Sequence, residues 1–191
     1  MASHIRRNFT VVVCGPPCAG KSTLARQVSV GLRIPHLQMD RVCTRLMPDS
    51  LHDIADVDLA YHAMHALARS LLARNQSVIV DAPYSRFAQR CELEQITRQT
   101  SAALFVVQCR VEPGIAKARY LARTGHPGGD LTEEVVLRKA GDFPYCPVGI
   151  VLNMDVAAHK LANQVLRYIV SGLPVRRGKW SDCARCSAAP H

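Results

Sequence analysis

CGPPCAGKST, residues 14–23, decides how this chain is read. The run before it, Phe9-Thr10-Val11-Val12-Val13, is β-branched and aromatic, the composition and length of a buried strand. The run after it, Leu24-Ala25-Arg26-Gln27-Val28, reads as a helix. Gly15, Gly20, Lys21 and Ser22 fill every fixed position of G-x-x-x-x-G-K-[ST], in the strand–loop–helix setting the motif needs. Glycines let the backbone curl so that successive N–H groups point inward at phosphate oxygens, and the helix N-terminus adds partial positive charge. The expected nucleoside-triphosphate loop is Gly15, Pro16, Pro17, Cys18, Ala19, Gly20, Lys21, Ser22 and Thr23. Lys21 is expected on the β- and γ-phosphates and the Ser22 hydroxyl on Mg²⁺.

Outward from the loop, strand and helix patterns alternate. A first helix is predicted over 21–31 with Gly31 as its stop, then a strand over 34–39 ending at Asp40. Val57, Tyr61, Met64, Leu67/Ala68, Leu71 and Leu72 recur at three and four, the period of an amphipathic helix that Asn75-Gln76 breaks. Further strands are predicted over 77–81, 103–109 and 148–153. Further helices are predicted from Ser85, as cap, to about 100, from Pro113 to 123, from Thr132, and over 157–170. TGHPGGD, residues 124–130, excludes regular structure. Apolar strands alternating with helices indicate an α/β fold with a parallel sheet covered on both faces, whose ligands bind at the carboxyl ends of the strands. One domain over 1–172 is expected, with a lid at about 119–131 and a loosely held basic tail over 173–191.

That rule about strand ends selects the site candidates. Asp40 follows the second strand and Asp81 the third, so both carboxylates should face the loop's crevice. In one division of labour Asp81 helps hold magnesium while Asp40 accepts a hydrogen bond from the attacking hydroxyl; the roles are partly exchangeable, and either residue also suits a helix cap or turn. Arg119 and Arg123, four apart in ARYLAR, lead into the glycine-rich segment and suit a lid that supplies positive charge to the moving phosphoryl group. Arg86 and Arg90, also four apart, either line an acceptor pocket or lie in solvent. His62 and His65 read as surface or packing residues, and Cys18 contributes its backbone N–H.

Composition narrows the class. The formal charge is +9, from 19 arginines and 5 lysines against 15 acids. Arginine favours anionic ligands, but no basic block interleaves with aromatics, so nucleic acid is not the expected partner. No apolar run approaches the ~20 residues of a membrane span, and the N-terminus lacks a signal-peptide pattern, so a cytoplasmic protein is expected. The eight cysteines are expected as thiols, and Cys183-Ala-Arg-Cys186 has the spacing of half a zinc site without a second pair.

GPPCAGKSTLAR, QMDR, LLARNQSVIVDAPYSRFAQR and ARYLARTGHPGGD, taken in order, are similar to a group of small P-loop kinases. The group contains chloramphenicol phosphotransferase and the zeta-toxin kinases, and the likeness runs from about residue 9 to 170. It implies a three-layer α/β/α P-loop NTPase fold, nucleotide-kinase-like, with five parallel strands and the loop strand central. It implies ATP and Mg²⁺ as donor pair, Asp40 as the acceptor-activating aspartate, and Arg119 and Arg123 as lid arginines. The chain departs at Pro16, Pro17 and Cys18, where relatives carry glycines or serine, and at Cys43, where many carry arginine and Arg41 or Arg45 stands in. The expectation is transfer of the ATP γ-phosphate to a hydroxyl of a metabolite, sugar or antibiotic, with Asp40, Arg41, Arg86 and Arg90 toward the acceptor. A polynucleotide 5′-hydroxyl kinase and an ATP-binding or ATP-hydrolysing regulatory protein are the alternatives.

Overall fold

The computed structural model describes residues 8–50, 53–123, 131–176 and 178–181. In chain order the elements are β1 (Phe9–Cys14), α1 (Lys21–Leu32), β2 (His36–Gln38), α2 (Met39–Leu46), α3 (Ile54–Ala73) and β3 (Val78–Asp81). They continue with α4 (Phe87–Gln99), β4 (Ala103–Arg110), α5 (Pro113–Leu121), α6 (Glu133–Gly141), β5 (Ile150–Asn153) and α7 (Ala158–Val170). The five strands pair in parallel in the order β2-β3-β1-β4-β5, which puts the loop strand in the middle.

Every residue of β1 is buried, because helices cover both faces of the sheet. The two-residue period of a strand splits them between two cores. Val11 and Val13 join Leu24, Val28, Leu161 and Ile169 on the α1/α7 side. Val12 and Cys14 join Met64, Leu72, Leu93 and Ile96 on the α3/α4 side. Each such side chain contributes roughly 1.5–3 kcal/mol by leaving water.

Several element ends differ from the sequence reading. α1 runs through Gly31 to Leu32, and the left-handed stop is Arg33 (φ 54), whose N–H reaches the carbonyls of Ser29 and Val30. β2 covers three residues and α2 starts at once, so Asp40 lies in the first helical turn with Gln38 as N-cap. Arg86, not Ser85, is the N-cap of α4. Pro113 does open α5, behind a Glu112 carboxylate that accepts the Ile115 N–H (3.1 Å), and Thr132 caps α6 through the Val135 N–H (3.3 Å).

The segment after α7 is a correction of a different kind. Residues 173–181 were expected to be loosely held, yet the Val175 N–H donates to the Leu104 carbonyl (2.7 Å) and Trp180 is buried in the α3/α4 core. A tryptophan has too much apolar surface to leave in water when a core lies within reach. Residues 182–191, with Cys183 and Cys186, and residues 124–130 of the expected lid lie outside the described residues.

Candidate functional site

The turn after β1 is built around two backbone positions closed to other residues. Gly15 sits at φ +148, and a Cβ there would stand 2.5 Å from the Cys109 carbonyl oxygen. Gly20 caps α1 at φ +94. Between them Cys18 takes the left-handed conformation (φ 58), which a non-glycine residue adopts only at some cost. The loop thereby wraps over the N-terminus of α1, with Lys21 Nζ donating to the Pro16 carbonyl (2.8 Å). Pro17, Cys18, Gly20, Lys21, Ser22 and Thr23 line a cleft of about 570 Å³ at the carboxyl end of the sheet. Gly15, Pro16 and Ala19 are buried and are not part of that lining.

Asp40 and Asp81 both line the same cleft, as their places after β2 and at the end of β3 require. Asp81 is buried and lies 3.3 Å from His36 Nε2, while Gln38 Nε2 donates to the Ser22 hydroxyl (3.1 Å). His36 and Gln38 are two apart in β2, so they point to one side and hold the two oxygens from below. A hydroxyl and a carboxylate suit a hard divalent cation that keeps water and phosphate oxygens as its other ligands, as Mg²⁺ does. Among the described residues no group of three His, Cys, Asp or Glu side chains is arranged to hold a metal ion by itself.

The arginines divide. Arg123 lines the cleft just beyond α5. Arg119 instead grips the loop: it donates to the carbonyls of Ala19 (3.1 Å), Met154 (2.5 Å) and, more weakly, Cys18 (3.5 Å). Arg86 lines the cleft and is paired with Asp58 of α3. Arg90 does not reach it. The residue is 1% exposed, and its guanidinium donates to the Ser85 carbonyl (3.1 Å) and to Cys146 Sγ (3.3 Å). Arg86 has the extended backbone of a cap, so the four-residue period does not place it and Arg90 on one face. Arg41 also misses the cleft. It follows Asp40 by about 100° around α2 and lines an outer groove with Arg45 and Leu67.

Residues that the sequence reading assigned to packing, or passed over, complete the cleft. Met39, Ile54, Val57 and Tyr61 form its apolar wall, and Gln89, Leu131 and Lys139 its rim. Val57 and Tyr61 carry the 3.6-residue period of α3, but that period cannot tell a core face from the wall of a pocket at the same helix's first turns. Tyr61 is fully buried, and burial raises its phenol pKa far above the ordinary value, so it stays protonated. Its oxygen accepts the Tyr84 N–H (2.8 Å). His65 is buried against Tyr84 and Glu92, and burial lowers its pKa. His62 is exposed and pairs with Glu92.

Residues 11–143 match the family model described as an AAA domain. No curated protein matches the chain. Many solved structures share the fold, three of them as follows. A protein of Chloroflexus aurantiacus assigned as a kinase has a TM-score of 0.73 at 19% identity, over 84% of this chain and 98% of its own. A sugar kinase of Janibacter sp. has a TM-score of 0.67 at 16% identity, over 96% and 99%. The APS kinase of Mycobacterium tuberculosis in complex with AMPPNP and APS has a TM-score of 0.67 at 18% identity, over 85% and 98%. Among the described residues no helix is long and apolar enough to cross a membrane.

Proposed function

We propose that this chain, which belongs to the AAA domain family, is an ATP-dependent phosphotransferase that moves the γ-phosphate of ATP to a hydroxyl of a small molecule. One observation carries the reading: the phosphate loop, Asp40 and an apolar wall line a single cleft. A switch or motor needs the loop and a magnesium carboxylate, but not a second carboxylate beside a walled chamber. The likeness to small-molecule kinases, one of them holding a nucleotide analogue together with a small acceptor, supports it.

In this reading the backbone N–H groups of residues 15–22 and Lys21 cradle the β- and γ-phosphates. Asp40 accepts a hydrogen bond from the acceptor hydroxyl and aims its oxygen at the γ-phosphorus. Because the transition state is loose, orientation matters more than full proton removal. Arg123 offsets charge as the phosphoryl group moves, and Arg119 keeps the loop in shape. Ser22 and Asp81 are the groups that would hold Mg²⁺, whose chemistry there is to neutralise the phosphate oxygens. Met39, Ile54, Val57 and Tyr61 exclude water and fit an acceptor with an apolar portion. The finer assignment, to the group of chloramphenicol phosphotransferase and the zeta-toxin kinases, rests on Asp40 and Arg123 facing one cleft.

The test is transfer of label from γ-labelled ATP with Mg²⁺ to pools of hydroxyl metabolites, antibiotics, nucleosides and RNA 5′ ends. Label in a small-molecule pool, lost in Lys21→Ala, is expected. Label only on RNA ends would make the protein a polynucleotide kinase. Hydrolysis that responds to a protein partner, with no transfer to any pool, would make it a regulatory ATPase.

A further inference from the structure

The segment that follows α7 lies beyond the residues matched by the family model, and its Trp180 is buried in the α3/α4 core, against Tyr84. It is fastened at two places. The Val175 N–H donates to the Leu104 carbonyl (2.7 Å). Further on, the buried Glu94 carboxylate of α4 accepts the Trp180 N–H (3.1 Å) and the Ser181 hydroxyl (2.6 Å). That double acceptance fixes where the Trp180 ring goes. The ring is 1% exposed and packs on Tyr84 with centroids 5.2 Å apart.

Tyr84 is the unusual member of this contact. It sits at φ 52, the left-handed region that a bulky aromatic residue enters only when its surroundings hold it there. Its chain neighbours Pro83, Ser85 and Arg86 line the cleft. Its N–H is bonded to the Tyr61 hydroxyl and its ring stands edge-on to Tyr61, itself part of the apolar wall. The Pro83 carbonyl also accepts the Gly15 N–H (3.4 Å), so the turn is tied to the phosphate loop.

We infer that Trp180, clasped through Glu94, is a positioning residue that holds the 82–86 turn and Tyr61 in the shape of the acceptor wall. Trp180 touches no part of the cleft itself and acts through Tyr84. The role assigned to the wall rests on the transfer reading above; the mechanical claim does not. Removing the ring takes away one of the three rings packed on Tyr84 and leaves His65 and Tyr61, so the left-handed turn relaxes and the Tyr84–Tyr61 bond opens more often. The loop at 15–22 keeps its own supports, Arg119 among them.

Amide hydrogen exchange on the full chain tests this, comparing wild type with Trp180→Ala, Trp180→Phe and Glu94→Gln. In Trp180→Ala the amides of residues 82–90 should exchange at least about tenfold faster, a selective opening of roughly 1.4 kcal/mol. Exchange in β1 and α1 should stay near wild type. Trp180→Phe should restore protection, since a ring again covers Tyr84, and Glu94→Gln should fall between. AMPPNP affinity should change less than threefold in all of them. Unchanged exchange over 82–90 in Trp180→Ala would overturn the inference. So would a rise of equal size throughout the sheet that Trp180→Phe fails to reverse, because that is loss of core and nothing more. If Trp180→Ala does not fold, Glu94→Gln against Trp180→Phe decides by the same comparison. Failure of wild type to bind AMPPNP would instead sink the transfer reading and leave the exchange result intact.

Discussion

Replacing Arg119 with alanine separates two jobs for one guanidinium. The sequence placed it in a lid acting on the moving phosphate; the structure spends its donors on the Ala19 and Met154 carbonyls, at 3.1 and 2.5 Å. A hydrogen bond to a charged group contributes about 1.5–3 kcal/mol net, and Arg119 is only half buried, so the low end applies. Two such bonds give about 3 kcal/mol. If the loss falls on ordering the phosphate loop, nucleotide affinity drops about 100-fold, at 1.4 kcal/mol per decade. Calorimetric titration with AMPPNP and Mg²⁺ measures this directly. Arg119→Lys, able to keep one bond, should lose about tenfold. Unchanged AMPPNP affinity in Arg119→Ala combined with loss of transfer would refute the clamp and return the residue to the lid.

Three more perturbations follow from the geometry. Gly15→Ala places a methyl group 2.5 Å from the Cys109 carbonyl at a φ of +148, so overpacking and backbone strain together should destabilise by about 3 kcal/mol or more, read as a lower urea midpoint. Asp40→Asn should keep AMPPNP affinity and lower acceptor phosphorylation by about 10²–10⁴-fold; loss of AMPPNP binding alone would show that Asp40 serves the nucleotide. His65 is held below its ordinary pKa by burial, so the unfolded chain takes up the proton first. Its contribution is therefore complete above about pH 6.5 and is lost as the pH falls below that value. Urea unfolding between pH 7.5 and 5 should show that loss, and His65→Gln should flatten it; an equal slope in the variant would assign the effect elsewhere.

The parts legible in the sequence were those set by backbone chemistry. The loop, the parallel sheet and the placing of Asp40 and Asp81 all follow from glycine positions and from where strands end. What failed was rotational phase. Arg41 is expected at the acceptor from the resemblance and Arg90 from four-residue spacing, and neither faces the cleft, because phase around a helix depends on where its first turn begins. Asp40 shows the same limit from the other side, since α2 starts two residues earlier than a cap reading requires. Trp180 was hidden for another reason. It lies where no periodicity exists, and its one signal was chemical: the single tryptophan of a chain with few aromatics, placed among prolines, glycines and arginines.

The segment after α7 also bears on association between chains. Among the described residues β5 pairs with β4 only from Val107 to Arg110, which leaves the first half of β4 without a neighbouring described strand on that side. A row of unsatisfied peptide groups there would be a template for strand addition by another molecule. The Val175 N–H occupies the Leu104 carbonyl within that stretch. Displacing residues 173–181 would therefore uncover hydrogen-bonding backbone together with the tryptophan, and the first sign of it in solution would be self-association.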